Sequence, residues 1–224
     1  MNESFAVIFD VDGVLVDSYE PHFESWRVVG DELGQVITRE QFASSFGRTS
    51  KDIIRLWWSE LFGASLTDAK IAELDERKES AYREVIRETK PVMEGAVALI
   101  DALRGDGFKL AVGSSGPPEN VALSLELLGR AEKFDARVTG MDVTRGKPDP
   151  QVFLIAAQKL GVEPKWCVVI EDAPAGIAAA NAAGMASIGL LGTTDALGLK
   201  AAKHITPTLT ALGPKMIREL IANA

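Results

Sequence analysis

Phe5-Ala6-Val7-Ile8-Phe9-Asp10-Val11-Asp12-Gly13 runs five apolar residues straight into two acids and a glycine. An unbroken apolar run of this length suits a strand buried on both faces, and its abrupt polar end suits a loop at the strand's carboxyl end. Similar short runs recur at residues 108–112, 137–139, 166–170 and 186–190, with helix-like stretches at 96–103, 119–128, 150–160 and 175–183. Strand and helix therefore alternate over the second half of the chain, which predicts an α/β fold: a parallel sheet covered by helices on both faces. The Ala-rich stretch from 173 to 186 fits a helix lying close to that sheet.

One stretch breaks the rhythm. From Tyr19 to Thr89 there is no strand signal, only amphipathic patterns broken at Gly34, Gly47 and Gly63, so residues 19–89 read as a helical insertion into a core made of 1–18 and 90–224. Its last segment, 67–87, has Thr67 as an N-cap and many Glu, Lys and Arg, which suits a solvated helix returning to the core at Pro91.

A chain of 224 residues suits one compact domain or a core with a smaller insertion. The net charge of −8 speaks against a nucleic-acid partner, because affinity for phosphate backbones needs clustered Lys and Arg, while a small anionic substrate held by a few local cations stays open. Cys167, the single cysteine, sits in the apolar run Trp166-Cys167-Val168-Val169-Ile170, as a buried inert thiol does, and no intrachain disulfide can form. Nowhere do about 18 apolar residues run together, and no basic segment with a long apolar stretch opens the chain. The expectation is a cytoplasmic protein with no membrane partner, a monomer or weak dimer.

Asp10 and Asp12, two apart behind the first apolar run, point to the same side if the extended geometry continues. Adjacent carboxylates repel, so a cation or a shared proton is expected. Taken alone, Asp-x-Asp-Gly is equally a turn ending a strand. The longer string Phe9-Asp10-Val11-Asp12-Gly13-Val14-Leu15-Val16-Asp17-Ser18 resembles the first motif of the haloacid dehalogenase superfamily, above all its phosphatase branch. The resemblance implies that Asp10 is a nucleophile forming an aspartyl-phosphate, and that Asp12 is the general acid/base. Dehalogenases of the superfamily lack the second Asp, so Asp12 argues against dehalogenation.

Three further stretches match the family's remaining motifs in order. Val112-Gly113-Ser114-Ser115-Gly116 brings small residues, backbone N–H groups and hydroxyls to a strand end, and the resemblance makes Ser114, with Ser115, the phosphoryl contact. Gly146-Lys147-Pro148-Asp149-Pro150 sets a lysine in rigid chain just before a helix, and its likeness to the third motif makes Lys147 the cation shared by nucleophile and phosphoryl group. Val168-Val169-Ile170-Glu171-Asp172-Ala173-Pro174-Ala175-Gly176-Ile177 ends a buried strand in two acids. These acids cap the following helix or, with Asp10 and Asp12, form the hard oxygen site that suits Mg²⁺. The fourth-motif resemblance favours the second reading, with Asp10, Glu171, Asp172 and the backbone carbonyl of Asp12 as ligands. The two histidines are too few for a zinc site. Coincidence is a poor explanation for the four matches together, and each lies at a predicted carboxyl strand end, where open parallel sheets bind ligands.

The family's core is Rossmann-like, and its insertion between the first two motifs is a helical cap that closes over the site and selects the substrate. By resemblance to the β-phosphoglucomutase-like branch, His22, Arg48 and Lys78 are the cap's substrate contacts; without it, His22 packs beside Trp26 and Lys78 is a solvated charge. Gly116, Pro117 and Pro118 replace the polar residues with which a mutase grips a second phosphate, so a phosphatase acting on a small phosphorylated metabolite ranks above a mutase. Asn120 compensates only if the loop folds differently. A noncatalytic phosphate-responsive module is a third reading, disfavoured by the presence of both Asp10 and Asp12. Of the adjacent Trp57 and Trp58, one is expected in the cap's own core.

Overall fold

The computed structural model describes residues 4–45 and 48–223. The chain forms two compact units, Met1–Asp17 with Pro91–Ala224, and Ser18–Lys90. In chain order, β1 (Ala6–Phe9) precedes α1 (Tyr19–Glu32), α2 (Arg39–Ser45), α3 (Ser50–Phe62) and α4 (Asp68–Thr89), which build the second unit. The first unit resumes with α5 (Ala96–Gly105), β2 (Lys109–Gly113), α6 (Pro118–Leu128), β3 (Ala136–Val138) and α7 (Gln151–Leu160). It is completed by β4 (Cys167–Glu171), α8 (Pro174–Ala182), β5 (Ala186–Leu190), β6 (His204–Thr206) and α9 (Pro214–Ala222).

The sheet runs β3-β2-β1-β4-β5-β6 with every neighbouring pair parallel, a Rossmann-like arrangement. The period-two alternation of β1 explains its apolar run. Val7 and Phe9 face one core with residues of α5, α6 and α9, whereas Ala6 and Ile8 face the other with α7 and α8. Ala179 and Ala180 bring α8 down onto that second face. Cys167 is buried there too, and burial pushes its thiol up to about 12, outside the range of a reactive thiolate. Phe9 is in register with Val112 on one side and Ile170 on the other. Connections diverge from β1 and β4 toward opposite edges, so the carboxyl ends of these two strands border the crevice that such sheets use for ligands.

Three details depart from the expected elements. Helix α7 begins at Gln151 with Pro150 at its N-cap, not within its first turn. The sheet gains the edge strand β6, and the chain gains α9, neither of which stands out in the sequence. The third is α4, which is not simply a solvated helix: Ile71, Leu74, Ala81, Tyr82 and Ile86 are buried, and so are the charged Lys78 and Glu79.

Among its described residues the second unit has helices and no strand, and it packs around Trp26, Trp58, Phe23, Phe42 and Ile54. Trp57 and Trp58 both reach Trp26, with ring centroids 5.1 and 5.7 Å away, and Trp57 also donates from Nε1 to the Ser45 hydroxyl at 3.1 Å. The Thr67 hydroxyl accepts the Lys70 N–H at 3.2 Å and caps α4. Gly34, behind α1, and Gly63, the C-cap of α3, take positive φ values that end those helices. The expected break at Gly47, with Phe46, lies outside the described residues. Where the first unit's chain leaves and resumes, the Asp17 N–H donates to the Pro91 carbonyl at 2.8 Å and Val16 bridges to Val92.

Candidate active site

The Asp10 N–H donates to the Ile170 carbonyl at 3.0 Å, which extends the β1–β4 ladder one residue past β1 and brings Asp10 beside Glu171, the last residue of β4. The chain then turns tightly: the Gly13 N–H bonds to the Val16 carbonyl at 2.8 Å and the Val16 N–H to the Val11 carbonyl at 3.0 Å. Gly13 is required twice, for its φ of +72° and because a Cβ there would overlap the Asp172 carboxylate.

Lys147 joins these acids. Its Nζ lies 2.9 Å from Asp10 Oδ1 and 2.7 Å from Glu171 Oε1, and its side chain is 9% exposed. The loop that carries it is pinned by Gln151, whose Oε1 accepts the backbone N–H groups of Thr144 and Arg145 at 2.9 and 3.0 Å. Glu171 Oε2 accepts the Ala173 N–H at 2.8 Å. Room for the Glu171 side chain comes from Gly176 in α8, where any Cβ would overlap the carboxylate.

Asp10, Glu171 and Asp172 each present a carboxylate oxygen within 4.8 Å of the others. Among the described residues, three buried acids thus face the ammonium of Lys147. Burial pushes Asp10 up to about 7; Lys147 opposes the rise, and the charges of Glu171 and Asp12 add to it. Asp172 is likewise held well above the usual carboxylate range by burial and by Glu171 and Asp10. Burial disfavours the charged form of Lys147, but Asp10 and Glu171 outweigh it and the ammonium is raised above its ordinary value. A cluster of hard oxygen donors short of positive charge fits a hard divalent cation.

Opposite, Ser114 is fixed by its N–H to the Val138 carbonyl at 3.0 Å, and its hydroxyl accepts the Gly116 N–H at 3.0 Å. A Cβ built on Gly116 would lie 3.3 Å from Ser114 Oγ and 3.8 Å from Asp12 Oδ2, so hydroxyl and carboxylate border the same small space. Ser115 is exposed, whereas Asn120 is buried in α6.

In the second unit, His22 and Lys78 do come together. Lys78 Nζ is 2.9 Å from His22 Nδ1 and 2.9 Å from Glu79 Oε1, and the Ser50 hydroxyl donates to the same Glu79 oxygen at 2.9 Å. The His22 ring stacks on Tyr82 at 4.1 Å, and the Lys78 ammonium lies 5.6 Å from the Trp26 ring centroid. Lys78 is therefore buried and paired, not a solvated helix charge. Arg48 is exposed and its backbone N–H bonds to the Ser45 carbonyl; among the described residues it takes no part in this network.

Sequence reasoning missed Thr193, whose hydroxyl donates to Asp172 Oδ2, and Gln151. A lone hydroxyl in Gly192-Thr193-Thr194 and a lone amide in a helix's first turn leave no pattern to find.

A parallel sheet with acids grouped at its carboxyl edge defines a class, and the family model of haloacid dehalogenase-like hydrolases matches residues 6–184. The chain belongs to that family of hydrolases. It is 32% identical to a beta-phosphoglucomutase of Bacillus subtilis (strain 168), over 92% of this chain and 91% of that one. It is 34% identical to validoxylamine A 7'-phosphate phosphatase of Streptomyces hygroscopicus subsp. limoneus, over 91% and 93%. A crystal structure of beta-phosphoglucomutase from Clostridium difficile superposes with a TM-score of 0.84 at 27% identity, covering 98% of each chain. Among the described residues no helix is long and apolar enough to cross a membrane.

Proposed function

We propose that this enzyme is a Mg²⁺-dependent phosphatase of a small phosphomonoester, a sugar phosphate or similar metabolite, working through an aspartyl-phosphate at Asp10. The observation that carries the reading is the buried Asp10 carboxylate, tied to Lys147 at 2.9 Å and grouped with Glu171 and Asp172. Asp10, Asp172, Glu171 and the Asp12 carbonyl would hold Mg²⁺, which when bound offsets the acids' charge and that of the phosphoryl oxygens.

Asp10 attacks phosphorus and the bond to the leaving oxygen breaks, while Asp12 gives that oxygen its proton. Asp12 then takes a proton from water, the water oxygen bonds to phosphorus, and the bond to Asp10 breaks, restoring its carboxylate. Lys147 favours the ionised form of Asp10 against the effect of burial and, with Ser114 and Ser115, meets the phosphoryl oxygens. His22, Arg48 and Lys78 are the proposed substrate contacts of the inserted unit.

Hydrolysis ranks above phosphoryl transfer between sugar hydroxyls because the first turn of α6 offers Pro118 and Glu119 and no cation for a second phosphate. The test is phosphate release from a panel of sugar phosphates and other phosphomonoesters with Mg²⁺, in wild type and Asp10→Asn, with hexose-phosphate interconversion followed in parallel. Release that vanishes in Asp10→Asn while the far-UV spectrum is unchanged supports the reading. Interconversion without release establishes a mutase instead, and full activity in Asp10→Asn removes the nucleophile.

A further inference from the structure

We infer that Thr193 is a positioning residue for the cation site, acting through Asp172. The inference rests on the Mg²⁺ reading above. Asp172 is buried, and its Oδ2 is enclosed on two sides: it accepts the Thr193 hydroxyl, and it lies where a Cβ on Gly13 would overlap it. One carboxylate oxygen is thereby committed to the protein, and rotation about the Cβ–Cγ bond would break that hydrogen bond. The same carboxylate presents an oxygen within 4.8 Å of those of Asp10 and Glu171, so fixing its rotation fixes its place in the cluster.

The donor's chemistry suits this task. A hydroxyl orients the carboxylate without cancelling its charge, as a lysine or arginine would, so the full negative charge remains available to a cation. The loop's placement is also built in. Thr193 follows β5, whose Gly189 is in register with Glu171, so the neighbouring strand delivers the hydroxyl beside the β4 acids. Just before it, the Leu191 N–H donates to the Thr206 carbonyl at 2.9 Å, which ties the loop to β6. The edge strand, which contributes no acid to the site, thus anchors the residue that orients one.

The experiment is a calorimetric titration of the full chain with Mg²⁺, without substrate, for wild type, Thr193→Val and Thr193→Ser, alongside thermal unfolding in EDTA. Thr193→Val keeps the shape and removes the donor, and Thr193→Ser keeps the donor. The expected result is Mg²⁺ affinity about tenfold weaker in Thr193→Val, close to wild type in Thr193→Ser, with the EDTA melting temperatures of all three alike. Thr193→Ala gives the same comparison if valine disturbs the loop. Wild-type affinity in the variants lacking the donor would overturn the role of Thr193 while leaving the cation site standing. Absence of Mg²⁺ binding in wild type would overturn the cation reading and, with it, this inference.

Discussion

At the level of single residues the site is a problem of charge. Asp10, Asp172 and Glu171 are buried together against one lysine, and without a cation burial holds Asp10 near 7 instead of its ordinary 3.8. A carboxylate whose folded pKa is raised binds its proton more tightly in the folded chain, so its contribution to stability is largest below pH 3.8 and is lost as pH rises toward about 7. In the proposed function Mg²⁺ would displace that proton. The rise in melting temperature that Mg²⁺ brings should therefore grow from about pH 5 to about pH 7, as thermal unfolding with Mg²⁺ or EDTA would measure. A rise independent of pH across that window would contradict this description of the cluster. The residues of the cluster are legible in sequence because each stands directly behind an apolar run or in rigid chain before a helix, inside a recognisable motif. Thr193 and Gln151 are not legible, since one hydrogen bond per residue imposes no spacing on the chain.

At the level of elements, legibility follows burial. Strands β1, β2, β4 and β5 are buried along nearly all of their length and announce themselves as apolar runs. Strand β6, three residues at the sheet's edge, has only Thr206 fully buried and needs no such run. Helix α9 buries only Ile217 and Ile221, too short a stripe to separate from a loop. The charged composition of α4 conceals its inner face, because Lys78 and Glu79 satisfy each other and so can be buried among aromatic rings. The N-cap of α4, by contrast, is read directly from Thr67. Thr67→Ala should destabilise the second unit by about 1 kcal/mol. The readout is the urea midpoint of tryptophan fluorescence, to which Trp26, Trp57 and Trp58 of that unit contribute. An unchanged midpoint would show that the cap bond is replaced by water without loss.

At the level of the whole molecule, one sheet gathers residues from distant parts of the chain. Asp10, Ser114 and Glu171 lie far apart in sequence and meet because β1 sits between β2 and β4 in a parallel sheet, with their carboxyl ends at one edge. The alternation of strand and helix carries that much into the sequence, and the absence of strands in the inserted stretch marks the second unit, whose limits fall at Ser18 and Lys90. The pairing of His22 with Lys78 in the second unit is not legible in this way, because it follows no motif. The covalent step at Asp10 is separable from the rest of the proposed mechanism. With a substrate whose leaving group needs no proton, such as p-nitrophenyl phosphate, Asp12→Ala should still be phosphorylated but should release phosphate slowly. Acid-quenched Asp12→Ala, analysed by intact mass and then by peptide mapping, should carry one phosphoryl group on the peptide containing Asp10, formed with Mg²⁺ and absent with EDTA. Steady phosphate release without any phosphorylated Asp10 peptide, or label that forms equally in EDTA, would contradict the mechanism.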